Sequence, residues 1–195
     1  MLKRICPRCG GTHTAKILWG LPLYDEELEK RIENEEVVLG GCCIPIPRAD
    51  YHCFDCDCHI LFDTTLDQRN TESISLFVHG FFNFPGHILH VYHEQDAYYM
   101  EGPELKQIKE ITSEKFNKIL KAVYSCCPGE WEREYIYPYV LDGTQWELEI
   151  DFKESYQYHD GRRTIKVQGD NAYPPLWTKM LRKITPFLGI KPSEF

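Results

Sequence analysis

Cys6-Pro7-Arg8-Cys9-Gly10 and Cys53-Phe54-Asp55-Cys56-Asp57 are two C-x-x-C pairs divided by a long insert. The spacing lets two sulfurs converge on one ion, and the chain must then turn tightly. Gly10 fills the turn position after Cys9, and Asp57, which tolerates left-handed backbone, fills it after Cys56. Two such knuckles give a tetrahedral all-sulfur site with no open position, the pattern of a structural zinc rather than a catalytic one. Cys6, Cys9, Cys53 and Cys56 are therefore the expected ligands of one Zn²⁺. The run Cys53-Phe54-Asp55-Cys56-Asp57-Cys58-His59 offers more ligands than a tetrahedron uses. Replacement of one ligand by Cys58, His59 or His13 stays open, as does an iron–sulfur cluster.

The insert has its own pattern. Residues 15–21 form a short apolar strand ended by Gly20 and Pro22. Asp25 is placed to cap a helix whose first turn carries Glu26 and Glu27, with Leu28 and Ile32 on one face as far as Asn34. Residues 37–39 form another strand leading to Gly40-Gly41-Cys42-Cys43, and residues 51–54 and 59–63 form a hairpin around the second knuckle. With CPRCGG, the GLP of residues 20–22, the GGC of residues 40–42 and the second C-x-x-C, residues 5–63 resemble uncharacterised bacterial zinc-ribbon proteins. That resemblance implies the same four ligands and brings no activity with it. Asp57-Cys58 departs from its usual second knuckle. Cys42-Cys43 and Cys126-Cys127 read as small core residues.

Nine cysteines with no basic and apolar leader suggest thiols in a reducing compartment, so a cytoplasmic protein is expected. No run approaches the roughly 20 apolar residues of a membrane helix. The net charge of -8 weighs against generic nucleic-acid binding, which needs basic surface.

A polar run at residues 64–72 separates residues 1–68, the zinc-ribbon module, from residues 69–195, an α+β domain of unknown function. Residues 73–79, 87–92 and 97–100 read as strands, the last two joined by a turn at Glu94-Gln95-Asp96. Residues 103–105 open a helical turn, or 106–111 a strand. Thr112 or Ser113 caps a helix with Phe116, Ile119, Leu120 and Val123 on its apolar face. Residues 134–141 and 144–152 read as a hairpin about Asp142-Gly143, burying Trp146, Leu148, Ile150 and Phe152 under an exposed acidic face of Glu147, Glu149 and Asp151. A second hairpin joins residues 155–159 and 163–168. A final helix carries Leu176, Met180, Leu181 and Ile184, and Pro186 bends or ends it. The expected fold is α+β, an N-terminal zinc ribbon followed by an antiparallel sheet packed with about two helices. Residues 142–152 and 168–184 are similar to a hairpin, G-x-N-x-Y-P segment and helix of small uncharacterised bacterial domains. Asn171, Tyr173 and Pro175 read there as structural, or as one wall of a binding site.

Other chemistry is sparse. His79, His87, His90, His93 and Glu94 are the one further cluster, and strand geometry splits the histidines between two faces. No nucleophile elbow, phosphate loop or dinucleotide fingerprint occurs. Residues 161–195 hold Arg162, Arg163, Lys166, Lys179, Arg182, Lys183 and Lys191 against Asp170 and Glu194, a local +5. The expected function is a zinc-stabilised module that binds a protein partner without catalysis. The alternatives are nucleic-acid binding through the basic residues of 162–183 and, behind it, a metal-dependent hydrolase.

Overall fold

Two compact units divide the chain, Met1–Thr64 and Thr65–Phe195. The computed structural model describes residues 4–80, 83–92, 96–101, 104–110, 112–140 and 143–188. At 83–89, 92, 96–101, 104–110 and 188 it describes the backbone alone.

The first unit contains β1 (Thr14–Trp19), α1 (Glu26–Glu33), β2 (Val37–Gly41), β3 (Tyr51–Cys53) and β4 (Cys58–Ile60). They form a four-stranded sheet in the order β2-β1-β3-β4. β1 and β2 are parallel, which requires a crossover, and α1 supplies it. Asp25 caps that helix by accepting from the Leu28 amide at 2.8 Å, and Leu28 is its buried residue. β3 and β4 form the antiparallel hairpin expected around the second knuckle.

The second unit opens with α2 (Thr65–Asn70), where a plain polar linker was expected. Asp67 anchors this short helix because its buried carboxylate accepts from the Tyr156 hydroxyl at 2.6 Å. There follow β5 (Thr71–Gly80), β6 (Asn83–Tyr92), β7 (Asp96–Glu101), β8 (Glu104–Glu110), α3 (Ser113–Tyr124), a single 3-10 turn at Pro128–Glu130, β9 (Glu134–Ile136), β10 (Thr144–Phe152), β11 (Thr164–Asp170) and α4 (Trp177–Leu188). The seven-stranded sheet runs β8-β7-β6-β5-β10-β11-β9. Every neighbouring pair is antiparallel except β11–β9, so the sheet is mixed rather than purely antiparallel. Residues 104–110 form a strand and not a helical turn. Residues 94 and 95, expected in the β6–β7 turn, lie outside the described residues.

Ile74, Leu76 and Val78 of β5, Trp146, Leu148 and Ile150 of β10, and Ile165 and Val167 of β11 are buried in one core with the apolar faces of α3 and α4. Each large aliphatic side chain so buried is worth roughly 1.5–3 kcal/mol. α3 carries the expected cap, Thr112 Oγ1 accepting from the Lys115 amide.

Two pairing expectations fail. The hairpin of 134–141 with 144–152 does not form, because β10 takes a central place between β5 and β11. Its four buried side chains need neighbours on both edges. Residues 134–136 bury little, and Pro138 cannot donate to a ladder, so this short strand lies at the edge beside β11. Residues 155–159 are irregular rather than a strand, and their tyrosines pack on Phe152, Tyr156 edge-on at 5.2 Å and Tyr158 stacked at 6.0 Å. Pro186 lies within the last turn of α4, which is described as far as Leu188.

Candidate metal centre

The first knuckle is a closed loop. The Cys6 amide donates to the Gly11 carbonyl at 2.8 Å and the Gly10 amide to the Cys6 carbonyl at 3.0 Å. Gly10 has φ 78°, the left-handed turn its position required, and Asp57 has φ 56° in the second knuckle. The loops are locked together at Gly11, where any Cβ would run into the Asp55 carboxylate. Asp55 in turn accepts from the His13 amide at 3.2 Å, and the Phe54 amide donates to the His13 carbonyl at 2.9 Å. Asp50 pins the exit, accepting from the Phe62 and Asp63 amides at 3.0 and 3.1 Å.

These contacts bring the sulfurs of Cys6, Cys9, Cys53 and Cys56 within 4.8 Å of one another, a group able to hold a metal ion. Cys6 and Cys56 Sγ are 3.8 Å apart, and Cys9 and Cys53 Sγ 3.7 Å. Four sulfurs placed about 2.3 Å from a tetrahedral ion stand about 3.8 Å from one another. The spacing therefore fits one ion at the centre, and it is far too long for a disulfide of about 2.05 Å. Cys6 and Cys53 are fully buried beside Ile60, whereas Cys9 is exposed.

Two of these thiols resist ionisation. Burial, together with the neighbouring thiols, holds Cys56 far above the usual cysteine range, and burial raises Cys6 as well. At Cys9 burial opposes ionisation but is outweighed by the Gly11 amide and the three other thiols, which draw it below that range. A divalent cation at the centre would favour the thiolate form of its ligands and so offset the burial that raises Cys6 and Cys56.

The surplus donors are engaged elsewhere. Cys58 Sγ donates to the Cys56 carbonyl at 3.4 Å and accepts from Arg8 Nη1 at 3.6 Å. His13 Nε2 lies 2.6 Å from Glu35 Oε2. His59 meets the rings of His52 and Trp19 edge-on. Cys126 and Cys127 are buried as expected, but Cys42 and Cys43 are exposed, because they follow β2 out into an irregular loop with no layer over it.

In the second unit, His90 Nδ1 lies 2.8 Å from Ser75 Oγ. The side chains of His87, His93 and Glu94 lie outside the described residues. The basic residues do not share one surface. Lys166 is on the sheet face away from the helices, 2.9 Å from Glu147, while Lys183 is on α4 and donates to Ser125 Oγ at 2.6 Å. Nor is the acidic strip bare, since Lys166 also lies 3.9 Å from Glu149 and Asp151 accepts from Ser73 and Thr164. Asn171 is structural, accepting from the Thr144 amide at 2.8 Å in left-handed backbone, while Tyr173 stacks on Trp146. Pro175 falls in the turn before α4 rather than in its first turn.

Sequence reading missed a hollow of about 480 Å³ on the face of β5, β10, β11 and β9 away from the helices. Its lining includes Phe77, Glu134, Ile136, Glu147, Gln168 and Asp170. The i,i+2 spacing of Glu134 and Ile136 shows a shared face, but their place beside β11 depends on a pairing that no local pattern reveals. Among the described residues, no helix is long and apolar enough to cross a membrane. Comparison of the chain with family models, characterised proteins and solved structures finds no match, so the likeness to zinc ribbons assigns no family and the metal reading rests on the four sulfurs themselves.

Proposed function

We propose that Cys6, Cys9, Cys53 and Cys56 bind one structural Zn²⁺ as thiolates, and that the protein is a non-catalytic binding module for another protein. The observation that carries this is the sulfur spacing, which fits one tetrahedral ion. An iron–sulfur cluster carries its thiolates on separate iron atoms, paired on a two-iron rhomb or one at each iron corner of a four-iron cube, and so spreads them further apart. Four thiolates fill the coordination sphere and leave no position for water or substrate, so the metal holds the first unit together and activates nothing. Nine cysteines outside any disulfide, two of them adjacent and exposed at Cys42 and Cys43, suit a reducing compartment such as the cytoplasm. Exposed apolar side chains support a protein partner. Leu21, Leu23, Ile44 and Ile46 lie open in the segments that leave β1 and β2, and Tyr137 and Tyr139 lie open beyond β9.

Elemental analysis with X-ray absorption on the purified protein tests the metal. One zinc per chain with a sulfur-only shell near 2.3 Å is expected. A nitrogen- or oxygen-rich shell, or no stoichiometric zinc, would overturn it. Cobalt substitution tests the absence of catalysis, since a tetrathiolate cobalt spectrum should be unmoved by added small anions.

A further inference from the structure

The hollow in the second unit has a regular construction. The pairing registers lay Phe77, Glu147, Gln168 and Glu134 across the sheet as one rung, and His79, Gln145, Asp170 and Ile136 as the next. Two apolar side chains, Phe77 and Ile136, therefore stand at opposite corners with carboxylates between them. Glu134 accepts from the Gln168 side-chain Nε2 at 2.9 Å and Asp170 from the Asn171 side-chain Nδ2 at 2.7 Å, both neutral partners. Among the described residues, the ammonium paired with these carboxylates is that of Lys166, 2.9 Å from Glu147 and 3.9 Å from Glu149. The surplus of negative charge is felt along the face: burial, and then repulsion from Asp151 and Glu147, raise Glu149 above the usual carboxylate range.

We infer that this hollow docks a basic segment of a partner protein, seating lysine or arginine side chains with their stems against Phe77 at one corner or Ile136 at the other and their charged heads among Glu134, Glu147 and Asp170. A long cationic side chain suits both halves of the lining, since its methylenes cover apolar surface while its head is held by carboxylates and a ring face. A neighbouring hollow of about 430 Å³ shares Glu134 and Gln168 but adds Arg133, Arg162 and Lys166. Its opposite charge repels the same cation and so fixes where along the sheet the basic residue lands. The inference rests on reading the chain as a binding module and is independent of the metal in the first unit.

The test is fluorescence anisotropy of the full chain with a labelled twelve-residue peptide of alternating lysine and leucine. Saturable binding is expected, with the dissociation constant raised at least tenfold in the triple variant Glu134→Gln, Glu147→Gln, Asp170→Asn and lowered by Lys166→Gln. An equal charge change on α1, Glu26→Gln with Glu27→Gln and Glu29→Gln, should leave binding within twofold. Near-UV circular dichroism establishes that each variant keeps its packing. No saturable binding, undiminished binding by the hollow variant, an equal loss in the α1 variant, or preference for a glutamate–leucine peptide or an oligonucleotide would each overturn the docking site. Zinc is assayed on the same sample, so failed docking with zinc intact overturns this inference alone, and absent zinc overturns the metal reading alone.

Discussion

At the level of single residues the nine cysteines are not equivalent, although sequence shows nine identical thiols. Cys9→Ser or Cys56→Ser removes one of four converging sulfurs and should abolish stoichiometric zinc, forfeiting most of an apparent binding energy of about 10–16 kcal/mol. Cys42→Ser changes an exposed side chain and should shift stability by no more than about 0.5 kcal/mol. Metal retention and thermal melts of the three variants check the ranking. Equal losses would make Cys42 a ligand. A second residue-scale outcome concerns Asp67, buried at 5% exposure with the Tyr156 hydroxyl 2.6 Å away. Tyr156→Phe leaves that carboxylate short of a donor and should cost about 1.5–3 kcal/mol in urea unfolding. The knuckles were legible because their chemistry is local, two sulfurs and a turn residue within five positions. The exposure of Cys42 was not legible, because burial depends on what the rest of the chain lays over a residue.

Elements divide along the same line. α1 and α3 could be read directly, since Asp25 and Thr112 cap them within three residues and their apolar spacing is short-range. β10 was legible as a strand from the alternation of Trp146, Leu148, Ile150 and Phe152, but its partners were not. A two-residue turn signal argued for pairing with 134–141, and burial on both edges of β10 outweighed it. The acidic hollow was invisible for that reason, being assembled from four strands. Those strands also set a pH response. Glu149 is flanked by Glu147 and Asp151 on its own strand, by Lys166 on β11 and by the Ser75–His90 pair on β5 and β6. Its raised folded pKa means that the native state binds more protons than the unfolded chain from about pH 4.5 up to that raised value. Unfolding free energy contributed by this group therefore falls as pH rises through the window. Glu149→Gln should flatten that slope and raise the urea midpoint at pH 7 above the parent's. An unchanged slope would show that the carboxylate is already compensated.

Across the molecule, apolar burial is unequal. Among the described residues of the first unit the buried apolar ones are Ala15, Ile17, Leu28, Val37 and Ile60 beside two of the cysteines, whereas the second unit has a core built from a sheet and two helices. A core as small as the first needs a staple, and the metal is the one proposed. Chelation should accordingly strip amide-exchange protection from β1 and β3 while β5 and β10 keep theirs, as hydrogen-exchange mass spectrometry would read. Loss of protection in β5 and β10 at the same chelator concentration would mean that the larger core also depends on the metal. The central pairing of that larger core has a consequence in time. Ile74 meets Ile150 and Leu76 meets Leu148, with β6, β7, β8 and α3 all lying between them in the chain. A ribosome, adding about 5–20 residues each second, releases β5 several seconds before β10 exists to pair with it. Through that interval the nascent chain carries an open strand edge, which β10 closes, and an apolar face that stays partly uncovered until α4, later in the chain than β10, packs onto it.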